Sequence, residues 1–320
     1  MSVDYSLQGY AEKACIFWGG YIEQPKLIKH RENAVFDVTL RGNVRVALRL
    51  HRPGYKKQEE IESELWWTNA LAEQGFPVPV PVQNVDGNYL SEISPEFIAT
   101  VIKWVNGKPI GTADANQFKI SKQIDFELGK VIGNLHNITE DLSFPDWFSR
   151  PSWGIEGLLG EYPNWGKFWE GEHLRSQEKE IFTIARDRAY SLLKQYEKEG
   201  AKTLLIHADV IGENVFQNDS GISLIDFDDC GYGFPIYDLA TATIQSLEDI
   251  NYQRRCNLIL EGYDKVRSLK QIDTDLFPIF AMLRVLATSA WIVPRVSTND
   301  PKIQIYKDRA ITQAVEFLEK

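Results

Sequence analysis

The sequence predicts an α+β chain built of two lobes, and three observations lead to this prediction. The first hundred residues consist mostly of short stretches with the alternation that is typical of strands, and they contain one helical stretch. Beyond Gly107 the periodicity becomes helical, and a single hairpin interrupts it. With 320 residues the chain is long enough for two domains of ordinary size. We therefore predict lobes over residues 1–102 and 108–320, joined by a hinge over 103–107.

The first lobe is predicted to be an antiparallel sheet with one helix. Apolar residues recur at helical spacing between Lys57 and Gln74, and Gly75 ends that helix. The segment PVPVPV (77–82) is extended, because each proline disfavours helix in the residue before it. The predicted strands are Leu27–Lys29, Ala34–Leu40, Val44–Leu50 and Phe97–Trp104.

The second lobe is predicted to be mainly helical, with one catalytic β-hairpin. The strand-like pieces Leu204–Phe216 and Ile222–Phe227 flank a turn of sequence NDSG at 218–221. The predicted helices are Ser121–Asn137, Gln177–Glu197, Asp238–Leu247, Gln253–Lys265, Asp275–Trp291 and Lys302–Leu318.

Composition excludes several classes of partner. The formal net charge of −10 argues against nucleic acid, because phosphate binding requires clustered Lys and Arg. No apolar run approaches the roughly 18–20 residues that a membrane span needs, so no membrane partner is expected. No secretory signal is visible at the start of the chain. Three widely spaced cysteines fit a reducing compartment, and we predict a cytoplasmic protein of undetermined oligomeric state.

The most informative stretch is the hairpin region, LLIHADVIGENVFQNDSGISLIDFDDCGYG (204–233). It places Asn214 five residues after Asp209, and Asp226 at the end of the following strand. This is the order and spacing of the kinase catalytic loop H-x-D-x-x-x-x-N with its later metal-binding Asp. A carboxylate near the acceptor hydroxyl can take its proton, and carboxylate and amide oxygens are the ligands that Mg²⁺ prefers. The spacing therefore indicates phosphoryl transfer.

The sequence resembles the superfamily of aminoglycoside phosphotransferases and choline/homoserine-kinase-like enzymes, which have a bilobal protein-kinase-like fold. Within it, the resemblance is strongest to the bacterial branch that holds type II homoserine kinases and stress-response kinases. It rests on five segments in the expected order: ENAVFDV (32–38), VALRLHRPGY (46–55), ESELWWTNALAEQGFPVPVPV (62–82), IHADVIGENV (206–215) and LIDFDDCGYGFPIYDLA (224–240).

The resemblance implies roles for the residues of the hairpin region. Asp209 corresponds to the catalytic base. Asn214 and Asp226 correspond to the Mg²⁺ ligands, with Asp228 as an assisting carboxylate. His207 is expected to order the catalytic loop, and Asp238 is expected to anchor that loop from the following helix.

The resemblance also implies a nucleotide site in the first lobe. Arg49 lies at the place of the strand lysine that holds the α- and β-phosphates of ATP, and Glu64 lies at the place of its ion-pair partner. Arg52 competes with Arg49 for the phosphates. Instead of a Gly-rich loop, the sequence has KHRENAV, whose backbone donors at 32–34 are candidates for the same work. The predicted nucleotide-binding residues are Arg49, Glu64, Lys103, Val105 and Asn33.

The acceptor side has a cluster of aromatic residues. The segment FPDWFSRPSWGIEGLLGEYPNWGKFWE (144–170) contains Trp147, Trp153, Trp165 and Trp169. One interpretation is that these side chains are packing residues. The other, a hypothesis, is that some of them line the acceptor pocket and hold an amine by cation–π contacts.

We therefore predict a phosphotransferase that uses ATP and Mg²⁺ and acts on a hydroxyl of a small molecule, such as homoserine, an amino alcohol or an aminoglycoside. Two alternatives stay open. One is a Ser/Thr protein kinase of the stress-response type, against which the twelve residues from Asp226 to Asp238 argue, since a peptide-docking activation loop is usually longer. The other is a pseudokinase that binds nucleotide without catalysis.

Overall fold

The computed structural model describes residues 5–31, 33–112 and 121–320, which form two compact units. The first unit contains the residues up to Lys108 together with Leu142–Ser149 and Phe216–Asp228. The second contains Pro109–Asp141, Arg150–Val215 and Asp229–Lys320. The predicted lobes are continuous stretches, whereas two later segments of the chain cluster with the first unit. Asp226 and Asp228 therefore belong to the first unit, and Asp209 and Asn214 to the second.

A five-stranded sheet forms the centre of the first unit. Its strands are β1 (Lys26–His30), β2 (Ala34–Leu40), β3 (Val44–Leu50), β4 (Leu90–Glu92) and β5 (Ile98–Lys103). Their order is β1-β2-β3-β5-β4, and every neighbouring pair is antiparallel. Side chains alternate across a strand, so Leu48 and Leu50 of β3 belong to the core cluster while Arg49 points to the opposite face. The predicted antiparallel sheet is confirmed.

Two helices complete the first unit. Helix α1 (Tyr5–Phe17) contributes Leu7, Ala11, Ala14 and Cys15 to the sheet core, and the sequence analysis did not predict it. Helix α2 (Gln58–Glu73) agrees with the predicted one. It begins where the Glu60 side chain accepts a hydrogen bond from the Lys57 amide at 2.9 Å, which satisfies a backbone donor at the helix start.

The second unit is mainly helical, as predicted. Its helices are α3 (Lys122–Asp141), α4 (Ile155–Leu159), α5 (Ser176–Lys198), α6 (Ile236–Thr241), α7 (Tyr252–Asp264), α8 (Gln271–Ile292) and α9 (Pro301–Leu318). Of the short strands, β7 (Ser152–Trp153), β8 (Leu204–Ile206) and β11 (Gly231–Gly233) belong to this unit. Strand β10 (Gly221–Leu224) clusters with the first unit, and the unit boundary falls within β6 (Lys108–Pro109) and β9 (Val215–Asn218). The short strands form two sheets of order β10-β9-β6 and β7-β11-β8. The chain passes between the units at 108/109, 141/142, 149/150, 215/216 and 228/229.

Two predicted elements differ from the structure. The predicted strand Leu204–Phe216 is divided into β8 and β9, because the intervening residues form a loop whose Ala208 has a left-handed backbone with φ of 65°. The predicted helix Asp238–Leu247 is mostly replaced by the shorter α6, followed by a 3₁₀ turn at Ile244–Ser246.

The part of the chain that the structure describes contains one helical stretch, Gln271–Arg295, that is long and apolar enough to cross a membrane. The sequence analysis did not expect such a stretch. Of its most apolar window, 67% is buried inside the protein. A buried core helix meets the same test of length and composition, so this stretch is weak evidence of a span.

Candidate active site

The loop that carries Asp209 follows β8 and is held by one buried carboxylate. Asp238 of α6 accepts hydrogen bonds from the amides of His207 at 2.9 Å and Ala208 at 2.7 Å. Asp238 and His207 are fully buried. A non-glycine residue with positive φ is strained, and these charge-assisted bonds compensate for the conformation of Ala208. Asp238 thus contacts the loop in the way that its expected anchoring role requires.

Two histidines extend this buried network. Nε2 of His136, on α3, lies 3.2 Å from Oδ2 of Asp238, and its Nδ1 lies 2.9 Å from the Tyr263 hydroxyl. The amide of Asp209 donates to Nδ1 of His207 at 3.2 Å. His207 therefore touches the backbone of the residue that it is expected to order, and its side chain lies within the protein interior.

Asp209 and Asn214 are in direct contact. Nδ2 of Asn214 donates to Oδ2 of Asp209 at 2.8 Å and to the Asp209 carbonyl at 2.9 Å. Since the amide nitrogen of Asn214 donates to Asp209, its amide oxygen points away from that carboxylate. The Asp209 side chain retains 17% exposure, whereas Asn214 is buried. The Asp209 carboxylate is therefore fixed in position by hydrogen bonds while part of it remains accessible to solvent.

The other oxygen of Asp209 is paired with a residue that the sequence analysis missed. Nη2 of Arg284, on α8, lies 2.5 Å from Oδ1 of Asp209. The guanidinium lies 4.2 Å above the Trp165 ring, and its Nη1 donates to Oγ1 of Thr288 at 3.0 Å. A signal was available in the sequence, because Arg284 is the lone charge in the apolar run 276–292 and a buried charge needs a partner.

In the first unit, Arg49 and Glu64 form a buried ion pair. Nη1 of Arg49 lies 2.8 Å from Oε1 of Glu64, and both side chains are at least nine-tenths buried. Nη2 of Arg49 lies 3.6 Å from Oδ1 of Asp226, whose side chain is 37% exposed. Burial lowers the pKa of Arg49, but Glu64 and the neighbouring carboxylates more than offset this and hold it above its ordinary value.

Three further residues surround this ion pair. Asp228 is buried and, like Asp226, contributes to the raised pKa of Arg49. Nζ of Lys29 lies 3.9 Å from Oδ2 of Asp226, a contact that the sequence analysis did not predict. Asp226 has a left-handed backbone with φ of 65°. Strained backbone of this kind is often found at functional sites, where the surrounding structure maintains it.

The remaining predicted nucleotide residues lie at strand ends and turns. The Lys103 amide donates to the Val80 carbonyl at 2.8 Å, so this amide is already used within the protein. Val105 is half-buried. Oδ1 of Asn33 accepts from the Arg52 amide at 3.2 Å, and the Arg52 side chain is exposed, unlike that of Arg49. Of the backbone donors expected at 32–34, Glu32 lies outside the described residues.

The four tryptophans of the aromatic segment have different surroundings. Trp147 is 49% exposed and belongs to the first unit, whereas the other three belong to the second. Trp153 is buried, lies edge-on to Trp165 at 5.0 Å and stacks on Tyr237 at 5.7 Å between ring centroids. The guanidinium of Arg186 covers Trp169 at 4.5 Å. Arginines of the chain itself thus occupy faces of Trp165 and Trp169 that the amine hypothesis assigns to the acceptor.

The donor chemistry of the predicted metal ligands fits Mg²⁺. Asp226, Asp228 and Asn214 offer two carboxylates and an amide oxygen, which are hard oxygen ligands. Within the described ranges, no group of three or more His, Cys, Asp and Glu side chains is arranged to hold a metal ion. An ion held by Asp226 and Asp228 of the first unit would therefore need further ligands, and Mg²⁺ in kinases commonly takes some of them from the phosphates of a nucleotide.

Most of the chain matches a protein-family model. Residues 26–267 match the model of the phosphotransferase enzyme family. An amicoumacin kinase of Bacillus subtilis (strain 168) is 23% identical over 71% of this chain, and a homoserine kinase of Rhizobium meliloti (strain 1021) is 27% identical over 66%. The matched region spans 65% and 61% of the lengths of those two curated relatives.

Solved structures show the same fold. The structure of a microcompartment-associated aminopropanol kinase is 28% identical, covers 99% of this chain and 98% of its own, and superposes with a TM-score of 0.84. An amicoumacin kinase in complex with AMP-PNP, Ca²⁺ and Ami is 19% identical over 98% of this chain and 96% of its own, with a TM-score of 0.79. The predicted kinase-like fold is confirmed, and the chain belongs to the phosphotransferase enzyme family.

Proposed function

We propose that the protein transfers the γ-phosphoryl group of ATP, in the presence of Mg²⁺, to a hydroxyl group of a small molecule. The observation that carries this proposal is the Asp209 carboxylate, which Asn214 holds at 2.8 Å on a loop that Asp238 clamps. A general base must be positioned before it can act, and both oxygens of Asp209 have fixed partners.

Asp209 orients the acceptor hydroxyl and takes its proton as the new bond between the acceptor oxygen and the γ-phosphorus forms. The bond between the γ-phosphorus and the bridging oxygen breaks, and ADP leaves with that electron pair. Catalysis of this reaction depends mainly on positioning and on charge stabilisation. Asp209 supplies the first of these on the acceptor side.

Residues of the first unit supply the charge on the nucleotide side. Arg49 is permanently charged, and a guanidinium can hold phosphate oxygens with two parallel donors. Glu64 keeps that guanidinium in place through the 2.8 Å ion pair. Asp226 and Asp228 are the side chains of this unit that would hold Mg²⁺, which neutralises phosphate charge when bound, and Asn214 is the ligand that the resemblance assigns to the second unit. The similar fold of the amicoumacin kinase that was solved with AMP-PNP and Ca²⁺ supports this assignment.

The class of acceptor follows from the relatives and from one segment of this chain. The names of the relatives point to homoserine, amicoumacin and aminopropanol as their acceptors. Between Asp226 and Asp238 the chain contains a 3₁₀ turn (Phe227–Asp229), β11 and the start of α6. A protein kinase uses this part of the chain to dock a peptide, and twelve residues leave little length for that purpose. This favours a small acceptor over a protein.

Coupled measurement of ADP release across a panel of amino alcohols, hydroxy amino acids and aminoglycosides tests the proposal. We expect turnover with at least one acceptor, and Asp209→Asn is expected to lower kcat by about 10²–10⁴. Asp238→Glu provides a matched control that keeps the charge but displaces the loop.

Three results would contradict the proposal. Full turnover by Asp209→Asn would remove Asp209 from the role of base. Labelled phosphate that enters a protein but no metabolite would favour a protein kinase. Stabilisation of the fold by nucleotide with no turnover of any acceptor would indicate a pseudokinase.

A further inference from the structure

The surroundings of Asp209 in the second unit contain two buried donors without partners. Nε of Arg284 and the Tyr237 hydroxyl are both inaccessible and, among the described residues, neither has a hydrogen-bond partner. Such groups are rare in native proteins, because an unsatisfied buried donor costs free energy. The Nε of Arg284 can only donate, and the Tyr237 hydroxyl can donate as well, so a group that accepts hydrogen bonds would satisfy both.

These two donors belong to one cluster beside the proposed base. Arg284 touches Asp209 directly and lies over Trp165, which meets Trp153 edge-on. Trp153 in turn stacks on Tyr237, whose hydroxyl interacts electrostatically with Arg284 and Asp209. Burial raises the pKa of Tyr237, so its hydroxyl keeps its proton and remains a donor at neutral pH.

The charge of this cluster disfavours an acceptor amine at the same place. The face of Trp165 that would attract a cation is covered by the guanidinium of Arg284. Arg284 uses Nη2 for Asp209 and Nη1 for Thr288, and Nη2 carries a second hydrogen. Nε and Nη2 form the edge of the guanidinium that binds a carboxylate through two parallel bonds.

We propose that Arg284, assisted by the Tyr237 hydroxyl, binds a carboxylate of the acceptor, so that the acceptor is a hydroxylated carboxylic acid. The proposal rests on the proposed function and specifies its acceptor class. The proposal distinguishes between two acceptors that the relatives' names give, since homoserine has a carboxylate and aminopropanol has none.

Pairs of acceptors that differ only by the carboxylate provide the test. The pairs are homoserine with propanolamine, threonine with isopropanolamine, and serine with ethanolamine. We expect kcat/KM of the wild-type protein to favour the acid in the best pair by about 10- to 100-fold, the size of a lost charge-assisted contact. Arg284→Gln is expected to remove most of that ratio, and Tyr237→Phe to reduce it in part.

The ratio of kcat/KM for the acid to kcat/KM for the amino alcohol shows whether Arg284 recognises the carboxylate or only holds Asp209 in position. If Arg284 only held Asp209 in position, Arg284→Gln would lower kcat/KM for both members of a pair equally, which would overturn the proposal. Arg284→Lys, which keeps the charge but not the two-donor edge, is expected to give an intermediate ratio. Wild-type turnover of the amino alcohols as fast as of the acids would also overturn it, while leaving the kinase proposal intact. Turnover of no acceptor by folded protein would overturn both.

Discussion

At the scale of single residues, the most unusual environment in the first unit is that of the Arg49 ion pair. Two neighbouring carboxylates and a neutral histidine surround a permanent positive charge that is almost excluded from water. His51 is buried, and its Nε2 lies 3.0 Å from Oγ1 of Thr100. Burial, with a smaller effect of the Arg49 charge, lowers the pKa of His51 from 6.5 to about 3.

The stability of the protein should therefore fall as the pH drops below 6.5. Above that value His51 is neutral in both folded and unfolded chains and contributes no pH dependence. Below pH 6.5 His51 is protonated in the unfolded chain but stays neutral in the folded protein. This difference lowers the unfolding free energy by about 1.4 kcal/mol per pH unit. Urea unfolding between pH 5 and 6.5 measures this slope.

Substitutions of single histidines show whether His51 causes this dependence of the unfolding free energy on pH. In His51→Gln, which can keep the bond to Thr100, we expect the slope to decrease by about one proton's contribution. His173→Gln serves as the control, because the pKa of the more exposed His173 is lowered less, mainly by burial and by Lys307. An unchanged slope in His51→Gln would show that His51 is protonated in the folded protein.

At the scale of elements, α3 and α7 pack closely enough that their glycines are required. A Cβ atom on Gly129 of α3 would lie 2.0 Å from the carbonyl oxygen of Ile259, and one on Gly262 of α7 would lie 1.9 Å from that of Phe126. These distances are far below van der Waals contact and involve backbone atoms. This packing supports the site, because α3 also carries His136, the partner of Asp238.

We expect Gly129→Ala to destabilise the protein by about 1–3 kcal/mol, because the methyl group forces the two helices apart. Alanine alone favours a helix by about 1 kcal/mol over glycine, so the sign of the effect separates packing from propensity. Gly9→Ala in α1 is the matched control: it is exposed with nothing within 4 Å of the new atom, and it should be neutral or stabilising. Equal effects in the two variants, measured by thermal unfolding, would contradict the packing argument.

At the scale of the whole molecule, the proposed machinery is divided between the two units. Asp209, Asn214, Asp238 and Arg284 belong to the second unit, and Arg49, Glu64, Asp226 and Asp228 belong to the first. In our proposal, Asp209 and Arg284 of the second unit act on the acceptor, and Arg49, Asp226 and Asp228 of the first unit act on the nucleotide and its metal ion. Binding of nucleotide and transfer of phosphate should therefore respond to different substitutions.

Stabilisation by a non-hydrolysable ATP analogue with Mg²⁺ tests this separation. A ligand at about one hundred times its Kd raises the unfolding free energy by about 2.7 kcal/mol. We expect the thermal shift to persist in Asp209→Asn and to decrease strongly in Asp226→Asn or after addition of EDTA. The half-exposed position of Asp226 allows that change without loss of the fold. A full shift in Asp226→Asn would remove this residue from the nucleotide and metal site.

The features that the sequence by itself determined are local ones. Asp209 and Asn214 meet because only four residues of one loop separate them, and β3 directs Arg49 away from the core because side chains alternate along a strand. Helical periodicity likewise predicted α2 and most helices of the second unit. Such relations depend on spacing along the chain, which the sequence displays directly.

What only the tertiary structure decided are contacts between residues far apart in the chain. Arg284 stands 75 residues beyond Asp209, and no period or motif links them; the packing of α8 brings the charge to the base. The same holds for Lys29 beside Asp226 and for the arginines that cover the Trp165 and Trp169 rings. A buried charge or an aromatic face needs a partner, but many residues of the sequence could provide it. Only the packing of whole elements against one another determines which residue does so.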